Sequence, residues 1–284
     1  MSHAITLLDG AYGTRLWSLA EEHGYAKDPT WTFNLSHPEL VRQVAEEYLA
    51  AGSRILASNT FSANPSTVNA LPGYDLAEVI RAAVRIGREV TDGTDARLAL
   101  DIGPLPQMLE PYGELTEAEA ADSFRAVLSA GIEAGAELVF FETFMDLSML
   151  TIAVREAKKF PLPVFASMSF GKKGRTMMGD RVEEIARAME ALGADAVGLN
   201  CSLGPADAVP VLQAFAEATD LPLIFKPNAG LPITAEDGSV LMPYDAQRFA
   251  AEAAPALSLA SYVGSCCGSD EGYIRALAAA LTQR

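Results

Sequence analysis

The sequence predicts a single-domain (β/α)8 barrel of the TIM type, an α/β fold spanning residues 1–284. Three observations predict it. Short apolar runs and amphipathic segments alternate eight times without an obvious break. The runs are rich in Val, Ile, Leu and Phe and lack strict polar alternation, as suits parallel strands covered on both faces. Eight such units in about 250 residues match the size of this barrel. A doubly wound sheet is the competing architecture.

The first strand is read at Ala4-Ile-Thr-Leu-Leu8, ending in Asp9-Gly10. After a long connection, Ser36-His-Pro-Glu39 opens a helix, with capping-box spacing of Ser and Glu and Pro in the first turn. That helix runs through Leu40-Val41, Val44-Ala45 and Tyr48-Leu49 and stops at Gly52. Arg54 to Ser58 reads as the second strand and Leu76 to Val90 as its helix. Ala96 to Ile102 is the third, followed by a helix from about Glu117 to Ala134. The fourth, Glu137 to Phe141, ends in Glu142-Thr143 and precedes a helix from Asp146 to Lys159. Pro163 to Ser167 is followed by a helix near Val182 to Leu192, stopped by Gly193. The sixth strand ends in Cys201, before a helix from Pro205 to Ala218. Leu221 to Phe225 ends near Lys226, and its helix runs from Tyr244 to about Ala254. The eighth strand ends in Cys266, and Asp270 to Thr282 is the last helix. Longer insertions fall at about 17–35, 104–116 and 229–243.

Charge narrows the function. The chain carries 37 acidic and 21 basic residues, a formal net charge of −16. A nucleic-acid partner needs a basic face, so none is expected. No apolar stretch is long enough to span a bilayer, and no basic n-region precedes Leu7-Leu8. These features predict a cytoplasmic protein whose thiols stay reduced.

In a barrel of this type the chemistry sits at the C-terminal ends of the strands. The polar residues there are Asp9, Asn59, Asp101, Glu142, Ser167 or Ser169, Asn200, Asn228 and all three cysteines, Cys201, Cys266 and Cys267. An odd cysteine count in a reducing compartment favours metal or catalysis over disulfides. Three thiolates from two strand ends meeting at one mouth form a candidate Zn²⁺ site with an open fourth position, the pattern of catalytic zinc. Successive side chains alternate faces on a regular strand, so Cys266 and Cys267 need a curled backbone, for which Gly264 and Gly268 provide. The simpler alternative is that these are buried small hydrophobes.

Several segments resemble the homocysteine S-methyltransferase family. They are Asp9-Gly-Ala-Tyr-Gly-Thr14, Ala57-Ser-Asn-Thr-Phe61, Glu142-Thr-Phe-Met-Asp146, Gly198-Leu-Asn-Cys201 and Gly264-Ser-Cys-Cys-Gly268. Cys201-Ser-Leu-Gly-Pro205 and Pro227-Asn-Ala-Gly-Leu-Pro232 are most similar to the homocysteine-binding barrel of cobalamin-dependent methionine synthase. The resemblance runs from Asp9 to the last helix. It implies zinc-dependent transfer of a methyl group to the thiol of homocysteine, forming methionine, or to a related thiol. It also implies a donor that is a free small molecule or a separate corrinoid protein, since the chain is too short for the modules that follow this barrel in methionine synthases. Cys201, Cys266 and Cys267 would hold the zinc. Asp9 and Glu142 are then the candidates for a substrate ammonium, and Asn59 and Asn200 for substrate or for loop orientation. Backbone N–H groups of the Gly10–Gly13 turn are candidates for the substrate carboxylate. Tyr12, Trp17, Trp31 and Phe61 are candidates for the walls of the site. Asp146 reads as a helix N-cap.

One departure stands out. The family pattern Gly-Gly-Cys-Cys-Gly-Thr here reads Gly264-Ser265-Cys266-Cys267-Gly268-Ser269. If the second glycine serves a positive φ, a Cβ at 265 costs free energy or shifts the loop. Two rival functions are weighed beside the methyltransferase: a Schiff-base, aldolase-type barrel using Lys226, and a non-catalytic zinc or thiol-sensing module.

Overall fold

A computed structural model describes residues 4–230, 233–234, 240–241 and 243–282. Eight parallel strands form the barrel: β1 (Thr6–Leu7), β2 (Ile55–Ala57), β3 (Arg97–Ile102), β4 (Leu138–Phe144), β5 (Val164–Met168), β6 (Ala196–Asn200), β7 (Leu223–Lys226) and β8 (Tyr262–Val263). Each pairs with its sequence neighbours, and β8 pairs with β1. A parallel bridge between Leu8 and Ile55 joins β1 to β2 and closes the circle. Closure leaves no sheet edge exposed.

The apolar residues divide into two layers. Leu8, Ile55, Ala99, Leu138, Phe140, Phe165, Ala196 and Ile224 fill the barrel interior. A larger cluster packs between the outer face of the sheet and the helices. Strands buried on both faces explain the unbroken apolar runs. Along β3, β4 and β7 the inward positions change from apolar to ionisable at the C-terminal end: Ala99 to Asp101, Phe140 to Glu142, Ile224 to Lys226. The two-residue period of a strand therefore lifts three charged groups onto the apolar plug. Gly198 lies in the same wall, where a Cβ would sit 2.1 Å from the Ile224 carbonyl oxygen.

Helix starts and stops follow the local signals in most places. Thr116 and Glu119 form a capping box on Glu117–Glu133, and Asp146 caps Leu147–Ala157 through the amides of Ser148 and Met149. Gly52 and Gly193 adopt left-handed conformations that end Pro38–Ala51 and Val182–Leu192.

Several expectations are corrected. The helix Tyr12–Glu22 occupies residues assigned partly to a long insertion. Its start carries two glycines and no side-chain cap, which weakened the signal. Ser36 does not cap the next helix. It ends a one-turn helix, Phe33–Ser36, and its hydroxyl donates to the Thr32 carbonyl at 3.1 Å. His37 takes the cap position, and Glu39 pairs with the His37 ring. β4 continues through Glu142 and Thr143 to Phe144. β8 is only two residues long, so Cys266 and Cys267 lie in a turn beyond it, and Cys201 follows the last residue of β6. In the expected 229–243 insertion, Ile233–Thr234 pairs antiparallel with Val240–Leu241. Leu231 and Pro232, the end of the Pro227–Pro232 motif, lie outside the described residues.

Candidate active site

At the C-terminal mouth of the barrel a cavity of about 420 Å³ is lined by Asp9's neighbours Gly10–Thr14, by Asn59, Asp101 and Glu142, and by Lys226 and the three cysteines. The floor is charged. Lys226 is only 2 % exposed, and its Nζ lies 2.9 Å from Glu142 Oε1 and 3.1 Å from Asp9 Oδ1. Asp9 Oδ2 also accepts from the Ala57 amide at 2.7 Å, where the β1–β2 ladder has ended. Asp101 makes no ion pair among the described residues, and its Oδ1 is buried without a hydrogen-bond partner.

These charges interact strongly in a dry setting. Burial alone would lower Lys226, but Asp9 and Glu142 hold its ammonium well above the ordinary lysine range. Burial pushes the Glu142 carboxyl up to about 7 against the lowering influence of Lys226. Burial, with Glu142 next, raises Asp101 well above the usual carboxylate range. A Schiff-base lysine must present a neutral amine. The Lys226 ammonium is held between two carboxylates, which opposes the neutral amine the aldolase-type expectation requires.

The sulfurs sit on two clamped turns, of which the first is strained. Cys201 and Ser202 both take left-handed backbone conformations, with φ of 58° and 56°. For residues with a Cβ this costs on the order of 1–3 kcal/mol each. The turn is held by the Cys201 amide donating to the Lys226 carbonyl at 3.1 Å and by the Ser202 hydroxyl donating to the Phe170 carbonyl. On the other side, the Cys266 amide donates to the Pro227 carbonyl at 2.8 Å, and the Ala229 amide to the Cys267 carbonyl at 3.0 Å. The Ser269 hydroxyl donates to the Cys266 carbonyl at 2.7 Å, and Gly268 supplies the left-handed residue of the turn. Gly264 has a different role from the expected curl. A Cβ there would lie 2.6 Å from the Asp9 carbonyl oxygen, so glycine permits close approach of the two segments. Ser265 is not left-handed; it is fully buried and its amide donates to that same carbonyl at 3.1 Å. The substitution of the family glycine therefore carries no positive-φ strain.

Cys201, Cys266 and Cys267 bring their Sγ atoms within 4.8 Å of one another, and Cys201 and Cys267 stand 3.7 Å apart. Zinc–sulfur bonds of about 2.3 Å in a tetrahedron require sulfur pairs about 3.8 Å apart. The Cys201–Cys267 pair meets that spacing, and the Cys266 sulfur lies within 4.8 Å of both. The protons agree: hydrogen bonds from Cys266 and Cys267 lower Cys201 to about 3, while Cys201 raises Cys266 to about 11 and Cys267 further still. Three thiols this close oppose one another's ionisation. The alternative of three isolated buried hydrophobes does not describe this cluster, since Cys201 and Cys266 are half-buried and Cys267 is exposed.

The two asparagines differ. Asn200 is fully buried beneath the mouth. Its Oδ1 accepts from the Thr143 amide and the Ser167 hydroxyl, both at 2.7 Å. Its Nδ2 donates to Thr143 Oγ1 at 2.7 Å and approaches Cys266 Sγ at 3.8 Å. Thr143 has φ of 64° at an irregularity of β4, so Asn200 fixes the strained residue directly after Glu142. Asn59 lines the cavity, yet its Nδ2 is engaged by the Thr30 carbonyl at 2.7 Å and by Asn34 Oδ1 at 2.8 Å. It ties the Thr30 segment to the mouth. Tyr12, Trp17 and Phe61 wall the cavity, whereas Trp31 is core, edge-on to Tyr74.

A family model described as homocysteine S-methyltransferase matches residues 6–281. The chain belongs to this family. It is 28 % identical over 300 residues to a methionine synthase of Mycobacterium tuberculosis, an alignment covering 99 % of this chain and 25 % of that protein. A methionine synthase of Mycobacterium leprae is likewise 28 % identical, again over 25 % of its length. The chain thus spans about a quarter of the length of these relatives. Among solved structures, the homocysteine methyltransferase MmuM from Escherichia coli has the same fold. Its oxidized form superposes with a TM-score of 0.80 and its metallated form with 0.79, each at 22 % identity and covering 97 % of this chain. These cover 95 % and 96 % of the respective MmuM chains.

Membership in the homocysteine S-methyltransferase family makes this a methyltransferase barrel. Two residues gain a place that sequence reasoning withheld. From sequence, Asp101 reads only as a strand-end residue and Lys226 only as a rival nucleophile. The available signal was their inward register: Asp101 pairs with Phe140, and Lys226 with Asn200.

Proposed function

We propose that this protein transfers a methyl group to the thiol of homocysteine, giving methionine, with Zn²⁺ held by Cys201, Cys266 and Cys267. The observation that carries this reading is the convergence of three sulfurs within 4.8 Å beside buried carboxylates, at the active end of a barrel of this family. The mycobacterial relatives named methionine synthase and the metallated form of MmuM support it.

When bound, zinc would supply the means to keep a thiol deprotonated at neutral pH, where a free thiol with a pKa of about 8.5 is mostly protonated. The chain's own residues hold the acceptor. Asp9 and Glu142 receive its ammonium through charge-assisted hydrogen bonds. Residues 10–13 line the same cavity, and free backbone amides of that turn receive its carboxylate. Asn200 keeps Glu142 and Cys266 in register through Thr143 and its own amide. Tyr12, Trp17 and Phe61 wall the approach to the sulfurs and limit water. In the transfer a carbon–sulfur bond forms, the donor's bond to the methyl carbon breaks, and the leaving group takes that electron pair. Alignment of the two reactants supplies much of the rate.

The donor is a small methylated molecule or a methylated corrinoid protein. No helix among the described residues is long and apolar enough to cross a membrane, and reduced thiols suit a cytoplasmic setting in methionine biosynthesis. A structural zinc module would close the site with a fourth protein ligand; the cluster among the described residues has three. The test is incubation of zinc-loaded protein with homocysteine and a donor panel including a methylated corrinoid protein, with mass-spectrometric detection of methionine. Methionine from at least one donor is expected. No methionine from any donor would contradict the proposal.

A further inference from the structure

A second cavity, of about 340 Å³, lies on the other side of the Cys201–Ser202 turn. Cys201 lines the mouth, while its neighbour Ser202 lines the second cavity. Thr143 lines the mouth, while Met145, just past the end of the same strand, lines the second cavity. Phe170, Met145 and Met177 give this cavity an apolar wall, and Lys172 and Arg175 give it a cationic rim. Met177 is 73 % exposed, an apolar side chain left in water beside two cations.

The positive charge is local. The chain carries a formal net charge of −16, yet residues 169–181 hold Lys172, Lys173, Arg175 and Arg181 against the one carboxylate of Asp180. The loop that carries it is built, not loose. The Gly171 amide donates to the Arg175 carbonyl at 2.8 Å and the Gly174 amide to the Gly171 carbonyl at 2.9 Å, so Lys172 and Arg175 share one tight turn. The Phe170 amide donates to the Ser202 hydroxyl at 3.2 Å, which ties the loop to the turn bearing Cys201. Asp180 Oδ2 accepts from the Leu147 amide at 3.1 Å and from the Thr176 hydroxyl at 2.7 Å, which ties the loop to the end of β4. Arg175 donates from Nη1 to the Gly179 carbonyl at 3.0 Å, and its guanidinium has no carboxylate partner among the described residues. Lys172 pairs with Asp207 at 2.8 Å, an exposed pair that yields readily to a competing anion.

A strongly negative protein repels anions except where such a patch focuses the opposite field. A guanidinium with unused N–H groups beside an apolar wall suits a carboxylate or phosphate on an apolar body. Anchoring a part of a reactant remote from the reacting atom lets its binding energy serve alignment. We propose that this cavity binds the anionic end of the methyl donor, a carboxylate or phosphate remote from the methyl carbon. Arg175 and Lys172 hold the anion, and the donor lies across the Cys201–Ser202 turn toward the sulfurs. This rests on the methyl-transfer reading of the site.

The test is calorimetric binding to zinc-loaded protein of two probes, triglutamate for a carboxylate tail and pyrophosphate for a phosphate. One site per chain is expected for at least one of them, and the tighter probe identifies the source of the anion. Arg175→Gln should weaken that binding by about tenfold, since hydrogen bonds to a charged group are lost. Lys172→Gln should weaken it less. Lys173→Gln removes the same charge from the same loop outside the cavity lining, and should change binding by less than about twofold. Melting curves report folding of all three variants. The bound probe should compete with the methyl donor, and not with homocysteine, in methionine formation. Binding of neither probe overturns the inference. Equal weakening by Lys173→Gln overturns it too, since the loop then attracts an adventitious ion only, and so does a bound probe that leaves the donor unaffected. All three results leave the methyltransferase reading standing. Absence of methionine from every donor would instead contradict that reading and this inference with it.

Discussion

Lys226 Nζ stands 2.9 Å from Glu142 Oε1, joining the end of β7 to the end of β4 across the floor of the mouth. The same ammonium reaches Asp9 Oδ1 at 3.1 Å. Removing it leaves two buried carboxylates without a counter-charge. Lys226→Met should therefore destabilise the fold by about 3–5 kcal/mol, the range for breaking a buried pair from one side. Urea unfolding measures it. Borohydride treatment with carbonyl compounds should not label Lys226, and a labelled Lys226 would reinstate the aldolase-type reading.

Glu142 sets a pH dependence. Its carboxyl is held up at about 7 by burial, so it is neutral below that pH and charged above it. An ammonium is held better by the charged form. The ratio of wild-type to Glu142→Gln kcat/KM for homocysteine should rise as pH climbs through about 7 and level off above it. Taking the ratio cancels ionisation of the substrate thiol, which affects both proteins alike. A flat ratio would remove Glu142 from ammonium recognition.

Ser265 replaces a family glycine without adopting a left-handed backbone. Restoring the glycine should leave zinc affinity within about twofold. Ser265→Gly gains chain entropy in the unfolded state but removes a buried hydroxyl that has no partner. These effects oppose, and stability should change by less than about 1 kcal/mol. Competition with a zinc chelator and a melting curve check both statements.

Gly198 has no such freedom. A methyl group there collides with the Ile224 carbonyl at the β6–β7 junction, one ladder below Asn200 and Lys226. Gly198→Ala should cost about 1–3 kcal/mol or more by overpacking. It should also weaken zinc binding, because Cys201 is anchored to the Lys226 carbonyl.

Much of the fold was legible because burial on both faces leaves its mark in composition. The runs at Leu138–Phe141 and Ala196–Leu199 have few other uses, and Gly52 and Gly193 punctuate the helices that lie between such runs. What was hidden depends on tertiary choice. Ser36 had the spacing of a cap, but its hydroxyl found the Thr32 carbonyl within its own turn. The helix Tyr12–Glu22 lacked a cap and began among glycines that serve the mouth, where a Cβ on Gly10 would press on Tyr48.

The site was legible in its residue types and less so in its pairings. Glu142 and the three cysteines line one mouth where strand ends were expected to converge, and Asp9 joins them through Lys226. The partnership of Lys226 with both carboxylates could not be read from spacing, since Glu142 lies 84 residues from it in sequence and Asp9 farther still. Asn200 and Asn59 were indistinguishable as sequence. Only the structure separates an asparagine buried under the sulfurs from one that fastens a loop.

The most direct measurement is zinc-edge X-ray absorption on the metal-loaded protein, with and without homocysteine. The account predicts three sulfur neighbours at about 2.3 Å in the free protein and four once homocysteine is added. Cys201→Ala should lose most of the metal. A sulfur count that stays the same on adding homocysteine, or a Cys201→Ala protein that still holds one zinc per chain, would contradict it.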